Sequence, residues 1–151
     1  MVVVVGRPRA PGVRAAIDEY ESRAARYWPF EVHEVREESA RATPPDLVRE
    51  REGERLAVRL PAAGTVVACD LEGTPMRSEE FAAWLQRERE VARDVAFVIG
   101  GAHGLAPAVR AIAARSLALA PWTLPHELAR LVLAEQLYRA GTIVRGEPYH
   151  K

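Results

Sequence analysis

The chain has a single cysteine, Cys69, which excludes an internal disulfide and any zinc site built on several thiolates. That usage fits a reducing compartment. It also lacks net charge: 21 acidic side chains balance 21 basic ones, so the whole-molecule field will not steer RNA or a membrane surface. A nucleic-acid partner must then be held by a local patch or recognised within a larger assembly. No apolar run approaches the roughly 20 residues that span a bilayer. The start, Met1-Val2-Val3-Val4-Val5-Gly6, is too short and too uncharged for a signal peptide. A cytoplasmic protein that does not meet the membrane is expected. There is no G-K-[ST] phosphate loop, and Gly100-Gly101-Ala102-His103-Gly104 is not the dinucleotide fingerprint. Ser39, Ser78 and Ser116 lack a nucleophile-elbow context. The four histidines, His33, His103, His126 and His150, show no metal-ligand spacing, so no metal is expected.

What is present reads as strands alternating with helices. Val2 to Val5 is a β-branched run suited to a strand buried on both faces. Val13, Ile17, Tyr20, Ala24 and Tyr27 recur at helical spacing. Phe30, Val32 and Val35 suggest a second strand, and Pro44-Pro45 opens a charged amphipathic helix through Leu47, Val48, Leu56 and Leu60. Thr65 to Cys69 is a third strand, with Asp70 to Pro75 as the turn after it. Ser78 is expected to cap a helix carrying Phe81, Trp84 and Leu85. Val95 to Ile99 reads as strand four and Leu117 to Ala120 as strand five. A helix from His126 to Ala140 follows, then a polar tail from Thr142. The pattern predicts one α/β domain over 1–151, with a mostly parallel sheet flanked by helices.

In open α/β sheets ligands sit beyond the carboxyl ends of strands. Three such ends stand out: Cys69 to Gly73, Gly100 to Gly104, and Leu119 to His126, with Pro121 and Pro125 stiffening the last. Glu135 and Arg139 are four apart and can pair on one helix face. Tyr149 and His150, behind Pro148, offer a stacking ring and a proton carrier. Arg130, Arg139, Arg145 and Lys151 give a local basic patch, offset by Glu127, Glu135 and Glu147.

Several stretches, in order, resemble one family. They are Leu71-Glu72-Gly73 with Ser78-Glu79-Glu80-Phe81-Ala82; Phe97-Val98-Ile99-Gly100-Gly101 with Gly104-Leu105; and Thr123-Leu124-Pro125-His126. Glu135-Gln136-Leu137-Tyr138-Arg139-Ala140 and the ending Gly146-Glu147-Pro148-Tyr149-His150 complete the set. On these residues the chain is similar to the ribosomal RNA large-subunit methyltransferase H proteins, of the SPOUT class. The resemblance implies a fold with a C-terminal deep trefoil knot. It implies S-adenosyl-L-methionine as donor, and N3-methylation of a pseudouridine in 23S large-subunit rRNA on the assembled ribosome, by a homodimer. By position, the cofactor contacts would be Cys69, Gly100, Leu119, Ala120, Pro121, Trp122, Thr123 and Leu124. Cys69, Ala118 and Ala120 depart from the leucine and serines common in that family. His150 is the expected base or proton relay, Arg139 the group that stabilises negative charge on the nucleobase or binds phosphate, and Tyr149 the ring that stacks on the nucleobase or positions it. Leu131, Leu137 and Tyr138 are expected at the dimer interface. Alternatives are a SPOUT methyltransferase for another RNA nucleotide, a non-catalytic ribosome-associated module, and an oxidoreductase of another α/β type.

Overall fold

The computed structural model describes residues 1–39 and 41–150, the side chain of His150 excepted. Five strands form one sheet: β1 (Val2–Val5), β2 (Val32–Val35), β3 (Thr65–Pro75), β4 (Val95–Ile99) and β5 (Arg115–Ala118). Five helices accompany them: α1 (Pro11–Ala24), α2 (Pro45–Ala57), α3 (Ser78–Glu90), α4 (Pro107–Ile112) and α5 (His126–Val144). A 3-10 turn, Pro148–His150, closes the described chain. Proline opens α1, α2 and α4, where its missing N–H is no loss and its fixed φ suits the first helical turn.

Every strand pairing is parallel, in the order β2-β1-β4-β3-β5. The order explains the layers. Steps from β1 to β2 and from β3 to β4 run one way across the sheet; steps from β2 to β3 and from β4 to β5 run the other. Right-handed crossovers therefore place α1 and α3 on one face and α2 and α4 on the opposite face. The cores show this division. Val2 and Val4 join Phe81, Trp84, Leu133 and Leu137 on the α1/α3/α5 side. Val3 and Val5 join Leu56, Leu105 and Val109 on the α2/α4 side. The unbroken valine run of β1 thus fills two cores at once, each buried valine contributing about 1.5–3 kcal/mol.

The strands differ from the sequence reading at one edge. β5 begins at Arg115 and ends at Ala118, two residues earlier than expected. It pairs with Val67–Cys69 and again, after a register shift, with Thr74 and Pro75. The segment expected as a turn after Cys69 is therefore part of β3. α3 is capped at Arg77, whose N–H donates to the Glu80 carboxylate at 2.9 Å, not at Ser78. Ser78 instead donates its hydroxyl to Gln136 Oε1 at 2.9 Å.

α5 is pinned by a buried arginine. Arg130, only 5% exposed, donates to Glu21 at 2.7 and 3.1 Å and to Glu34 at 2.7 Å. Burial alone would depress its pKa; the bonds to Glu21 and Glu34 outweigh that and raise it. Arg130 is thus committed within the chain and does not join the basic surface patch expected of it.

Candidate functional site

The carboxyl ends of β3 and β4 and the loop after β5 enclose a cleft of about 660 Å³. That is the size of a small-molecule site. Cys69, Gly100, Leu119, Ala120, Trp122, Thr123 and Leu124 all line it, together with Asp70, Leu71 and His126; Pro121 lies in the same loop but off the lining. Three separated sequence segments are brought together because parallel strands deliver their carboxyl ends to one edge of the sheet.

The glycine loop is built on close backbone approach. A Cβ at Gly100 would stand 2.6 Å from Gly104 C and O and 2.9 Å from Leu105 N. The loop folds back on itself there, with Gly104 N donating to Gly101 O at 3.0 Å and Gly104 at φ +78. At the mouth, Arg110 from α4 spans the cleft rim, 2.8 Å from Asp70 and 3.5 Å from Glu72. Two apolar side chains are exposed at the cleft: Leu71, on the rim with Asp70 and Glu72, and Trp122, 68% exposed, in the loop after β5. Exposed apolar side chains beside a glycine backbone wall suit a ligand with a flat ring.

Cys69 sits partly exposed on the cleft wall, yet deep enough that burial, followed by the Asp70 charge, pushes its thiol up to about 12. Iodoacetamide should therefore alkylate native Cys69 at pH 8 about two to three orders of magnitude more slowly than an ordinary cysteine, because the thiolate is the reactive form. Intact-mass time courses in buffer and in denaturant check this. Fast native labelling would show that the thiol is not held in its neutral form.

The proposed catalytic residues form a second cluster. Arg139 pairs with Glu135 at 2.6 Å, one helical turn apart, as the spacing predicts. Glu135 also accepts from Tyr149 Oη at 3.1 Å and from Gln136 Nε2 at 2.8 Å. The Arg139 guanidinium lies over the Tyr149 ring at 4.9 Å, and that ring packs on Tyr138 at 4.5 Å. Hydrogen bonding by Glu135 raises the Arg139 pKa. Burial, then the bond with Tyr20 and the Glu135 charge, raises that of Tyr149, so its hydroxyl stays protonated. The side chain of His150 lies outside the described residues; its backbone ends the 3-10 turn beside this cluster. Glu135, Gln136, Ser78 and Tyr20 were not singled out as a network. The signal was the polar pair Glu135-Gln136 inside an apolar helical stretch.

Within one chain the two clusters are apart. His126 opens α5 at the cleft, and Arg139 is thirteen positions further on, about 20 Å along the axis at about 1.5 Å per residue. The reading of Thr142 onward as tail is corrected too. Thr142 to Val144 complete α5, and Thr142 is fully buried with its hydroxyl on Arg139 O at 2.7 Å. Leu137, expected at an interface between copies, is 4% exposed in its own chain's core. Tyr138 packs on Tyr20 and Tyr27. Leu131, with Leu128 and Val132, remains on the outward side of α5.

Among the described residues no three His, Cys, Asp or Glu side chains are grouped to hold a metal ion. None of their helices is long and apolar enough to cross a membrane.

Comparison with known proteins bears on residues 1–150, which match the family model described as "Predicted SPOUT methyltransferase". A protein named ribosomal RNA large subunit methyltransferase H from Gemmatimonas aurantiaca is 66% identical over 150 residues, covering 99% of this chain and 97% of the relative. A protein of the same name from Anaeromyxobacter dehalogenans strain 2CP-C is 49% identical with the same coverage. Among solved structures, TrmJ from Z. mobilis ZM4 aligns with a TM-score of 0.51 at 16% identity. That alignment covers 92% of this chain and 68% of TrmJ, a likeness of fold.

Proposed function

The chain belongs to the SPOUT methyltransferases and, within them, to the ribosomal RNA large subunit methyltransferase H family; from that membership we propose that it methylates N3 of a pseudouridine in 23S rRNA of the assembled ribosome. The donor in this reading is S-adenosyl-L-methionine, held in the cleft between the Gly100–Gly104 loop and Leu119 to Leu124. The single observation that carries it is the convergence of those two loops and the Cys69–Leu71 stretch of β3 on one cleft with exposed apolar side chains and a glycine wall. The reading includes the family's C-terminal deep trefoil knot. The reading takes residues 1–151 as one domain, working in the cytoplasm.

Bound there, S-adenosyl-L-methionine would supply an electrophilic methyl group on a sulfonium sulfur. The protein's remaining task is to orient the acceptor and manage one proton, since orientation alone contributes several kcal/mol. A pseudouridine N3–H is weakly acidic, so nitrogen must lose its proton as it gains the methyl. His150 takes that proton. Arg139 stabilises the negative charge that grows on the flanking imide oxygens. Tyr149, packed at a tilt against Tyr138 and held protonated, positions the ring.

Because Arg139 stands ten positions, about 15 Å, along α5 from Ala129, the last residue of that helix to line its own chain's cleft, the working site combines one copy's cleft with a second copy's C-terminal cluster. The outward row Leu128, Leu131 and Val132 is the surface for that homodimer. The near-neutral charge of the chain suits a substrate recognised on the ribosome surface instead of free RNA, which calls for a basic footprint.

Subunit mixing tests the composite site. Gly100→Ala and Arg139→Ala should each retain at most about a tenth of wild-type activity alone. Dissociated and reassociated in equal amounts, they should regain about a quarter of wild-type activity, since half the dimers are mixed and half of their sites are intact. No recovery, with mixed dimers confirmed by native mass spectrometry, would place the whole site within one chain.

A further inference from the structure

We propose that Glu52, a buried carboxyl that does not line the cleft, is a positioning residue for donor binding: it stands where a side chain at position 101 would, and holds the glycine loop in its cleft-forming shape. The inference rests on the reading that the cleft binds the methyl donor.

Glu52 projects from α2, in the layer opposite α5, and is 3% exposed. Its Oε1 accepts the Glu38 N–H at 3.0 Å, while Oε2 is buried with no partner among the described residues. Burial, more than any charge, raises its pKa; the Glu37 carboxylate adds to this, and the Glu38 bond, Arg55 and His103 oppose it. Leucine would fill this place at lower cost, as Val48 and Leu56 do elsewhere on α2, because a buried carboxyl loses its hydration.

What the carboxyl does is set by its neighbour. A Cβ at Gly101 would overlap Glu52 Oε2 and stand 3.1 Å from its Cδ and Oε1. The other side of Gly101 and Ala102 faces the cleft. One loop is thus held between the cleft and a flat group tethered to residue 38. The tether limits how far the loop can retreat, and the absent side chain at 101 limits how far it is pushed forward. Glu52 and Gly101 are complementary in volume, and a change at one alters what the other must be.

The test is a calorimetric cycle with S-adenosyl-L-homocysteine on the full-length protein. Glu52→Ala opens space behind the loop, and Gly101→Ala drives a Cβ into the carboxyl; each should weaken binding. The double variant should bind at least about fivefold tighter than Gly101→Ala alone, a relief of about 1 kcal/mol or more where independent defects would instead add the Glu52→Ala loss to the Gly101→Ala loss. Glu52→Gln, which keeps the volume and can still accept the Glu38 N–H, should bind within about twofold of wild type. Additive losses in the double variant, or wild-type binding by Glu52→Ala, would overturn the proposal. If Glu52→Ala does not fold, a loss of about tenfold or more in folded Glu52→Gln overturns it, and retention supports it. Failure of the wild-type protein to bind would instead remove the donor reading on which the inference stands.

Discussion

Gly100→Ala should weaken S-adenosyl-L-homocysteine binding by about tenfold to a hundredfold and reduce methyl transfer at least as much. The added Cβ would meet backbone, Gly104 C and O at 2.6 Å and Leu105 N at 2.9 Å, with no flexible side chain to give way. The loop must open to admit it. Overpacking of this kind costs about 1–3 kcal/mol, and here the strain falls on the cleft wall, so it appears as lost affinity. The strained loop leads directly into buried Leu105 and Ala106, so a modest fall in Tm is expected as well. Calorimetry beside a thermal melt separates the two effects. Unchanged affinity would mean the ligand does not touch this loop.

The largest effect on stability is expected at Arg130. Replacement by methionine deletes its three bonds and leaves the Glu21 and Glu34 carboxylates facing each other without their shared cation. Breaking one side of a buried ion pair costs about 3–5 kcal/mol, and the lower end applies because Arg7 still reaches Glu34 at 2.7 Å from the surface. The pH dependence follows from Glu34. Burial would raise its pKa, but the bonds from Arg130 and Arg7 prevail and lower it from 4.5. A carboxylate with a lowered folded pKa adds stability above its unfolded value and loses it as pH falls through the folded one. The gap between wild type and Arg130→Met should thus be widest near neutrality and shrink as pH falls below about 4.5 toward the lowered folded value of Glu34. Urea titrations at pH 7 and pH 4 read both. A gap of equal size at the two pH values would show that lost packing, not charge, dominates.

Most of the sheet could be read from the chain because doubly buried parallel strands are written as continuous apolar runs: Val2–Val5 and Val95–Ile99 were placed to the residue. β5 was displaced because it opens with Arg115 and Ser116, whose polarity reads as loop, while Leu119 and Ala120 leave the sheet to line the cleft. The extension of β3 was invisible for a related reason. Asp70, Glu72 and Gly73 are turn residues by chemistry, and only the passage of β5 beside Thr74 and Pro75 makes them strand. α4 is six residues long, too short to show a period. At the site, the loops were legible as glycine and proline signals at strand ends. The depth of Glu52 and Arg130 was not, since on a charged helix or beside a basic patch nothing in the sequence separates a buried ion from a solvated one.

One measurement bears most directly on the central claim. Large-subunit rRNA from ribosomes lacking the modification would be incubated, as assembled particles, with the protein and S-adenosyl-L-methionine carrying a deuterated methyl group. Digestion and mass spectrometry would then locate the label. A single labelled methyl on a pseudouridine, at N3, in the assembled particle is the expected result. Label on another nucleotide, on free rRNA only, or nowhere while the cleft still binds the donor, would contradict it.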